Sequence, residues 1–369
     1  MPGKHVLCES ERLMSRRRFA GLAATACLSG VLAGLAGCAR PASSGDASDP
    51  GAGADGSASA GASASASAED ALLSRTLFAF DTVLTLKAAC DEATMDALCD
   101  RCAYFESIFS RTIETSDIGR VNAAGGASVE VAPETADLVG KALHYCEESG
   151  GRFDISIGAV STLWDFKEGV VPAEDAIREA VKHVDYRNVQ VNGTTITLLD
   201  PQAKLDLGGI AKGYIADDLC RMLADAGCAS GFVNLGGNVK TVGCRPDGKP
   251  WHVGIQDPND VNQAVVAAVY SEGTSAVTSG LYERQFEKDG TRYWHILDPK
   301  TGYPVETDLV SATIFSPASI DGDGYTKPLF MMGCDEALAW IEAKDGIEGL
   351  LVDAGGNVVQ TSGCDAELL

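Results

Sequence analysis

Residues 205–214 read Leu205-Asp206-Leu207-Gly208-Gly209-Ile210-Ala211-Lys212-Gly213-Tyr214, at a predicted junction between a strand and a helix. Glycines at such a junction let backbone amides approach a phosphate closely, and the N-terminus of the helix favours the anion. Lys212 adds a cation to the first helical turn. The spacing matches neither a P-loop nor a Rossmann dinucleotide fingerprint. Taken alone, a glycine pair and a lysine are more often a structural turn than a phosphate site.

Strand and helix signals alternate irregularly on both sides of this segment. Helical patterns cover residues 93–107, 133–149, 212–226 and 335–343. Strand patterns cover residues 77–88, 232–235, 251–255, 265–270 and 310–316, with hairpins predicted at Asn192-Gly193 and Gly355-Gly356. The chain is therefore predicted to form a mixed α+β domain, without internal repeats and without a regular βαβ array.

Further segments combine glycine with polar side chains, as ligand-binding turns do. They are Gly151-Arg152-Phe153-Asp154, Leu235-Gly236-Gly237-Asn238, Thr278-Ser279-Gly280 with Tyr282-Glu283-Arg284, and the rigid loop of residues 295–304. Residues 321–327 add Asp321, Asp323 and Lys327 just before an apolar run. Carboxylate and carbonyl oxygens suit a hard cation such as Mg²⁺, which also coordinates substrate phosphates.

The order of these segments resembles the ApbE family, the FAD:protein FMN transferases. The resemblance rests on DLGGIAKGY (206–214), VNLGG (233–237), TSGLYER (278–284) and HILDPKTGYP (295–304), and it extends over about residues 76–363. It implies a single ApbE-like, T-fold-related catalytic domain. It also implies that FMN is transferred from FAD to a threonine hydroxyl of an exported or membrane electron-transfer protein, with release of AMP. The family's acceptors carry an Asp-Gly-x-Thr-Gly-Ala-like segment, which this sequence lacks.

The resemblance also implies which residues form the site. The FAD contacts fall on Phe80, Thr112, Arg152, Phe153, Asp154, Asp206, Lys212 and the backbone of Ile296. The metal ligands fall on the carbonyl of Gly209 and on Asp323, Thr326 and Lys327.

Cleavage of the FAD pyrophosphate is a phosphoryl transfer, which needs charge neutralisation, in-line positioning and a proton acceptor. We therefore predict Mg²⁺ beside Asp323, and His295 as the general base because its ordinary pKa lies near neutrality. His295 and Asp323 are the predicted catalytic residues. A histidine that is hydrogen-bonded at a strand end for structural reasons is the alternative for His295.

Three positions depart from the family pattern. Phe80-Asp81-Thr82 replaces Met-Gly-Thr, and Thr112 replaces an aromatic ring that packs on the flavin nucleotide. That stacking, worth about 1 kcal/mol, is lost unless Phe80 or another ring supplies it. Lys327 replaces a threonine four residues after the metal aspartate. Its ammonium is expected to take the cation's place, to pair with Asp323, or to reach the phosphate.

The first 70 residues have the pattern of an exported lipoprotein. Residues 1–37 place Ser15-Arg16-Arg17-Arg18-Phe19 before a short apolar run, which predicts an export signal of the twin-arginine type. Leu35-Ala36-Gly37-Cys38 resembles a lipobox with Cys38 as the lipidated residue, although an ordinary secretory signal has a similar layout. Residues 38–70 are predicted to be a disordered Ala/Ser/Gly tether, and residues 71–369 the catalytic domain. This layout predicts a lipid anchor on the extracytoplasmic face of the cell membrane.

Charge and cysteine content exclude other classes of protein. The formal net charge is −23, and removal of residues 1–37, which carry +3, leaves −23 − 3 = −26. So acidic a surface repels phosphate backbones, which argues against nucleic-acid binding. Of the 12 cysteines, Cys8 and Cys27 precede the cleavage point and Cys38 carries lipid, so nine remain and cannot all pair. We predict scattered thiols and no zinc knuckle, because Cys99 and Cys102 have no second pair at zinc spacing.

Two other functions are compatible with the same residues. A flavin-binding lipoprotein would hold FAD or FMN without turnover, and the departures at Thr112 and Lys327 favour it. A Mg²⁺-dependent FAD pyrophosphatase would attack with water in place of a protein threonine.

Overall fold

The computed structural model describes residues 72–260 and 264–369. The predicted export signal, the predicted lipidation site Cys38 and the predicted tether lie outside these residues. Within the described ranges, no helix is both long and apolar enough to cross a membrane. The predicted mixed α+β class is confirmed, because helices and strands alternate without a repeating βαβ unit.

The helices of the described chain are α1 (Glu92–Phe109), α2 (Asp117–Ala123), α3 (Pro133–Glu148), α4 (Gly158–Ser161), α5 (Glu174–Ala180), α6 (Ala211–Asp225), α7 (Ser319–Phe330) and α8 (Cys334–Glu342). Two short 3-10 turns cover Val181–His183 and Tyr186–Asn188.

The strands are β1 (Leu73–Ala79), β2 (Thr82–Ala88), β3 (Val129–Glu130), β4 (Val189–Asn192), β5 (Thr195–Leu198), β6 (Ser230–Leu235), β7 (Asn238–Gly243), β8 (Trp251–Gln256), β9 (Val265–Ser271), β10 (Ser275–Gly280), β11 (Gln285–Lys288), β12 (Thr291–Trp294), β13 (Leu309–Ser316), β14 (Glu348–Asp353), β15 (Val358–Gln360) and β16 (Glu367–Leu368).

A large antiparallel sheet organises the domain, with strand order β1-β2-β6-β7-β10-β13-β14-β15. Helices α1, α6, α7 and α8 form a layer on it, each helix contacting the next, with α6 on β6 and β7 and α7 on β10 and β13. The opposite face is covered by the small sheet β16-β9-β8. Alternate residues of β14 serve the two layers: Leu351 lies in the main core, and Leu350 and Val352 lie in the second.

The predicted strand over residues 77–88 is wrong in one respect, because it is a hairpin. Ala79 pairs with Thr82, and the two turn residues Phe80 and Asp81 have φ values of 54° and 60°. A two-residue turn of this kind needs positive φ at both positions, which Asn-Gly or Asp-Gly normally announces. Phe80-Asp81 gives no such signal, since a bulky residue rarely takes this conformation.

Helices α6 and α7 pack closely where α6 begins. A Cβ added to Gly213 would lie 2.5 Å from the carbonyl oxygen of Ser319 and 2.7 Å from Cα of Ile320. Glycine at 213 therefore permits the contact between the two helices. This contact brings the 205–214 segment and the 321–327 segment together, and the latter is part of α7.

Candidate active site

One buried carboxylate lies between the first turn of α6 and the middle of α7. Asp323 is fully buried, and its Oδ2 accepts a hydrogen bond from the backbone N–H of Gly213 at 2.6 Å. Its Oδ1 accepts one from Nζ of Lys327 at 2.7 Å, and Nζ of Lys212 lies 3.8 Å away. The Asp323 side chain is 1% exposed, whereas those of Lys327 and Lys212 are 17% and 22% exposed. The two lysine side chains are therefore partly exposed to solvent, and the carboxylate is not.

The electrostatics of this cluster favour an anionic ligand. Burial alone would raise the pKa of Asp323, but Lys212 and Lys327 outweigh burial and hold that pKa below its ordinary value. The pKa of Lys327 is also lowered, because burial and the charge of Lys212 together outweigh the attraction of Asp323. Both pKa values are lowered, which favours the charged form of Asp323 and disfavours the charged form of Lys327, as expected when two ammonium groups share one carboxylate. The two ammonium groups, beside which Glu283 also lies, are the groups that a diphosphate would pair with.

The glycine pair of the 205–214 segment borders the same cluster. A Cβ added to Gly209 would lie 3.0 Å from the Phe153 ring and 3.9 Å from Cε of Lys327. Asp206, just before the glycines, accepts hydrogen bonds from the N–H of Gly208 at 2.9 Å and from the hydroxyl of Ser161 at 2.7 Å. The structure thus brings the predicted residues Phe153, Gly209 and Lys327 together.

Asp206 also fixes the segment that contains Thr112. Nε of Arg111 lies 3.0 Å from Oδ2 of Asp206. Thr112 itself is exposed and bonds only to the neighbouring Ser110 among the described residues. The adjacent Arg111, which sequence reasoning assigned no role, is the residue that links this segment to Asp206.

Three of the predicted motifs, VNLGG, TSGLYER and HILDPKTGYP, lie next to one another near Lys212 and Lys327. The carbonyl of Gly237, at the end of VNLGG, accepts a hydrogen bond from the N–H of Thr278 at 3.1 Å. The backbone N–H of His295 donates to the carbonyl of Arg284 at 3.0 Å, which joins HILDP to TSGLYER. A Cβ at Gly237 would lie 3.9 Å from Oε1 of Glu283. The predicted motifs are therefore neighbours in space.

His295 is held as a neutral imidazole. Burial lowers its pKa to about 3, and the positive charges of Arg284, Lys212 and Lys327 act in the same direction. Its Nδ1 atom is buried and has no hydrogen-bond partner among the described residues. A histidine fixed for structure alone would be expected to have both ring nitrogens satisfied or in water. The unpartnered nitrogen therefore favours a functional role over the structural alternative.

Glu283 and Arg284 belong to the cluster although sequence reasoning gave them no role. Both side chains contact solvent. Burial among neighbouring groups nevertheless raises the pKa of Glu283, with Lys212, Lys327 and Arg284 opposing the shift and Asp323 adding to it. Glu283 and Arg284 are therefore exposed charged groups beside the two lysines. The charge pair in TSGLYER was the available sequence signal.

Several predicted ligand residues are engaged elsewhere in the described chain. Arg152 Nη2 lies 2.7 Å from Oε1 of Glu336 on α8. Asp154 accepts hydrogen bonds from Ser156 at 2.7 and 2.6 Å and from the N–H of Tyr186 at 2.9 Å. The FAD contacts predicted for Arg152 and Asp154 stay predictions.

The other predicted positions also have internal partners. The N–H of Phe80 donates to Glu106 at 2.8 Å, and the carbonyl of Ile296 accepts from Val305 at 3.0 Å. The hydroxyl of Thr326 is buried and lies 2.9 Å from that of Ser279. Next to Phe80, the Asp81 carboxylate lies 3.4 Å from Nη1 of Arg284, which places the β1–β2 turn near the converging motifs.

Two further features do not contribute to the cluster. The nine described cysteines are free, and the described residues contain no group of three or more His, Cys, Asp or Glu side chains arranged to hold a metal ion. An open groove of about 740 Å³ lies along α3, lined by residues that include Asp137, Lys141 and His144. It shares no residue with the lysine–aspartate cluster. The candidate active site is therefore assigned to the charged cluster and not to this groove.

Known proteins are similar to this chain in sequence and in fold. The ApbE family profile matches residues 80–351. An FAD:protein FMN transferase of Treponema pallidum is 36% identical over 265 residues, covering 67% of this chain and 73% of that protein. One from Klebsiella pneumoniae is 34% identical over 277 residues, covering 74% and 86%.

Solved structures agree. The crystal structure of the ApbE protein from Thermotoga maritima has a TM-score of 0.73 and 31% identity, covering 79% of this chain and 97% of that one. The apo form of the flavinyl transferase ApbE of Pseudomonas stutzeri has a TM-score of 0.70 and 26% identity, covering 79% and 95%. The resemblance predicted from the ordered motifs is confirmed, and this chain belongs to the ApbE family.

Proposed function

We propose that this protein is an FAD:protein FMN transferase. The proposal is supported by relatives that carry this name and by one observation: two ammonium groups, on Lys212 and Lys327, flank the start of α6 over a shared carboxylate. Such a site suits the diphosphate of FAD, because fixed cations and helix N-terminal amides together bind phosphate oxygens.

In the reaction, a threonine of the acceptor protein becomes covalently bonded to the FMN half of FAD. The threonine oxygen bonds to the FMN phosphorus, and the bond from that phosphorus to the bridging oxygen breaks. AMP leaves with that oxygen, and the hydroxyl proton passes to a base. The charge that develops on the phosphate oxygens is what the site has to stabilise.

The start of α6 supplies directional donors next to the lysines. The N–H of Ala211 bonds to Leu207 and that of Gly213 to Asp323. The first turn of a helix leaves its remaining amides without an intrahelical acceptor, so the amide of Lys212 is available to a ligand. Asp323, whose oxygens are both engaged, acts through Lys212 and Lys327, and we assign it a positioning role.

His295 is the base that we propose for the threonine proton. Its pKa of about 3 makes the imidazole neutral at working pH, so it can accept a proton, but it is a weak base in the free protein. The negative charge of a bound diphosphate would offset the three neighbouring cations and raise this pKa toward its ordinary value. Substrate binding would therefore strengthen the base.

The residues predicted to hold Mg²⁺ do not fit a divalent ion. Oδ1 of Asp323 bonds to an ammonium and Oδ2 to an amide, Thr326 bonds to Ser279, and Lys327 brings a positive charge. Mg²⁺ requires an octahedron of oxygen ligands, usually with one or two carboxylates. We therefore assign no step of the transfer to a metal ion.

The acceptor and the location complete the proposal. The acceptor is a protein with an Asp-Gly-x-Thr-Gly-Ala-like segment, and the enzyme is tethered through a lipid on Cys38 at the extracytoplasmic face of the membrane. The pattern of residues 15–38 supports this location.

Incubation of the purified protein with FAD and an acceptor tests the function. We expect flavin fluorescence on the denatured acceptor band, and none when the threonine of the acceptor segment is replaced by alanine. Free FMN without labelling would show a pyrophosphatase, and unchanged FAD would show a binding protein. Either result would overturn the proposal.

A further inference from the structure

We infer that the ammonium of Lys327 is the fixed cation of this site and replaces a divalent metal ion. Together with Lys212, it binds the diphosphate oxygens of FAD, so flavin transfer by this protein does not depend on Mg²⁺. The inference rests on the proposed function for its substrate, and on the geometry of α6 and α7 for its cation.

The ammonium lies where the metal ion of the predicted ligand set would be. Lys327 follows Asp323 by one helical turn, which directs both side chains to the same face of α7. Its Nζ is 2.7 Å from Oδ1 of Asp323, and its Cε lies 3.9 Å from the position of a Cβ at Gly209. Gly209, just before α6, and Asp323, in α7, are both predicted ligands. The lysine side chain therefore fills the space between them.

A divalent cation would meet strong competition at this position. It would have to displace Lys327 from the carboxylate and remain close to Lys212, whose Nζ is 3.8 Å from the same oxygen. Like charges at this separation repel strongly in a partly buried site. An anion would instead pair with the two lysine side chains, which are partly exposed whereas the Asp323 carboxylate is buried, and Glu283 is the acidic group beside them.

The covalently attached cation performs the electrostatic part of the reaction. A lysine neutralises charge on the phosphate oxygens as a point charge, as the P-loop lysine does. It requires no free metal ion, and it is present in every folded molecule. The balanced transfer is unchanged: the threonine–phosphorus bond forms, the bond to AMP breaks, and the proton passes to His295.

Binding of Mn²⁺ alone tests the site without reference to activity. The wild-type protein, Lys327→Thr and Lys249→Thr are titrated with Mn²⁺ without FAD, and free Mn²⁺ is followed by electron paramagnetic resonance. Lys249 is an exposed lysine between β7 and β8, so its variant controls for loss of one positive charge on an acidic protein. We expect Lys327→Thr to gain one additional Mn²⁺ site, and the other two proteins to match each other. A site of equal affinity in the wild type would overturn the inference.

Transfer measured with and without metal supplies the second test. With EDTA present, we expect the wild type to label the acceptor at a rate within about twofold of that in millimolar Mg²⁺. Lys327→Thr should lose at least about tenfold in EDTA and recover with Mg²⁺, whereas Lys327→Arg, which keeps the charge, should stay indifferent to metal. Wild-type transfer that EDTA abolishes and Mg²⁺ restores would refute the lysine's role. If no protein labels the acceptor under any condition, the proposed function fails, and the Mn²⁺ titration still decides the identity of the cation.

Discussion

Two buried aspartates of this domain, Asp323 and Asp154, have the same side chain and opposite surroundings. Both are nearly inaccessible, at 0% and 6% exposure. Asp323 faces two ammonium groups, and its pKa is lowered because Lys212 and Lys327 outweigh burial. Asp154 bonds to Ser156 and to the N–H of Tyr186, and burial raises its pKa in spite of those hydrogen bonds.

The difference lies in the partners, which are charged groups for Asp323 and neutral groups for Asp154. Asp154 bonds to neutral groups: Ser156, two residues away, and the N–H of Tyr186, 32 residues away. Asp323 joins two helices that are more than one hundred residues apart in sequence, and it holds cations that face solvent. Carboxylates whose pKa is perturbed by charged partners cluster at functional sites, which makes Asp323 the stronger candidate of the two.

The largest expected effect is on Asp323. Asp323→Asn keeps the shape of the side chain but removes the charge that positions both lysines. We expect kcat for transfer to fall by about 100-fold or more, since misplacing an electrostatic donor costs this much. KM for FAD should not rise, because the freed ammonium groups still attract the diphosphate. Steady-state kinetics over a range of FAD concentrations measures both, and an unchanged kcat would remove Asp323 from the mechanism.

The helix contact behind Asp323 gives the next effect. Gly213→Ala places a methyl group 2.5 Å from the carbonyl of Ser319, so α6 and α7 must separate. We expect a loss of about 2–3 kcal/mol in the free energy of unfolding, together with weaker transfer. Gly140→Ala, on the exposed face of α3 with no atom within 4 Å, is the matched control. That control should be neutral or stabilising by up to about 1 kcal/mol, as measured by urea denaturation. Equal effects in the two variants would contradict the close packing.

The two regions should respond to pH with opposite signs. His295, on the cationic side, has its pKa lowered from 6.5 to about 3, so between these values the unfolded chain binds a proton that the folded chain does not. Stability therefore falls as pH decreases from 7 to 5, and His295 contributes about 2 kcal/mol to this loss. In His295→Gln, the difference between the free energies of unfolding at pH 7 and at pH 5, measured by urea denaturation, should be smaller by that amount than in the wild type. An unchanged difference would mean that His295 is not buried among cations.

Asp154 is expected to give the smallest effect, mainly on stability. Its raised pKa means that the folded chain gains stability as pH falls toward that pKa, in contrast to His295. Asp154→Asn replaces one acceptor oxygen by an NH₂ group, so the N–H of either Tyr186 or Ser156 loses its acceptor, which costs about 1–2 kcal/mol in the free energy of unfolding. KM for FAD should rise more than kcat falls, because the same loop carries Phe153. A loss of kcat as large as that of Asp323→Asn would remove the distinction between the two residues.

The sequence predicted the elements well where local signals agree. The helix predicted over residues 212–226 is observed as Ala211–Asp225, and the hairpin at Asn192-Gly193 is observed with φ of 58° at Gly193. A glycine after the helix and an Asn-Gly turn are local rules, so no distant contact is needed to apply them. The β1–β2 turn was missed because Phe80-Asp81 obeys no such rule, and its conformation depends on Glu106, Lys167 and Arg284.

The site was predicted in part, for a related reason. Motif order identified Asp323, Lys212, Gly209 and His295, and the structure places them in one cluster or beside it. Hydrogen-bond partners across the fold cannot be read from motif spacing. Only the structure shows that Asp154 bonds to Ser156 and Tyr186, that Arg152 bonds to Glu336, and that Arg111 forms an ion pair with Asp206.

The most direct test of the central claim is the intact mass of an acceptor protein after incubation with FAD, this enzyme and EDTA. The account predicts a gain equal to FMN less one water, located on the threonine of the acceptor segment, with AMP released in equal amount. An acceptor of unchanged mass in EDTA that gains FMN only after Mg²⁺ is added would contradict the claim that Lys327 supplies the cation.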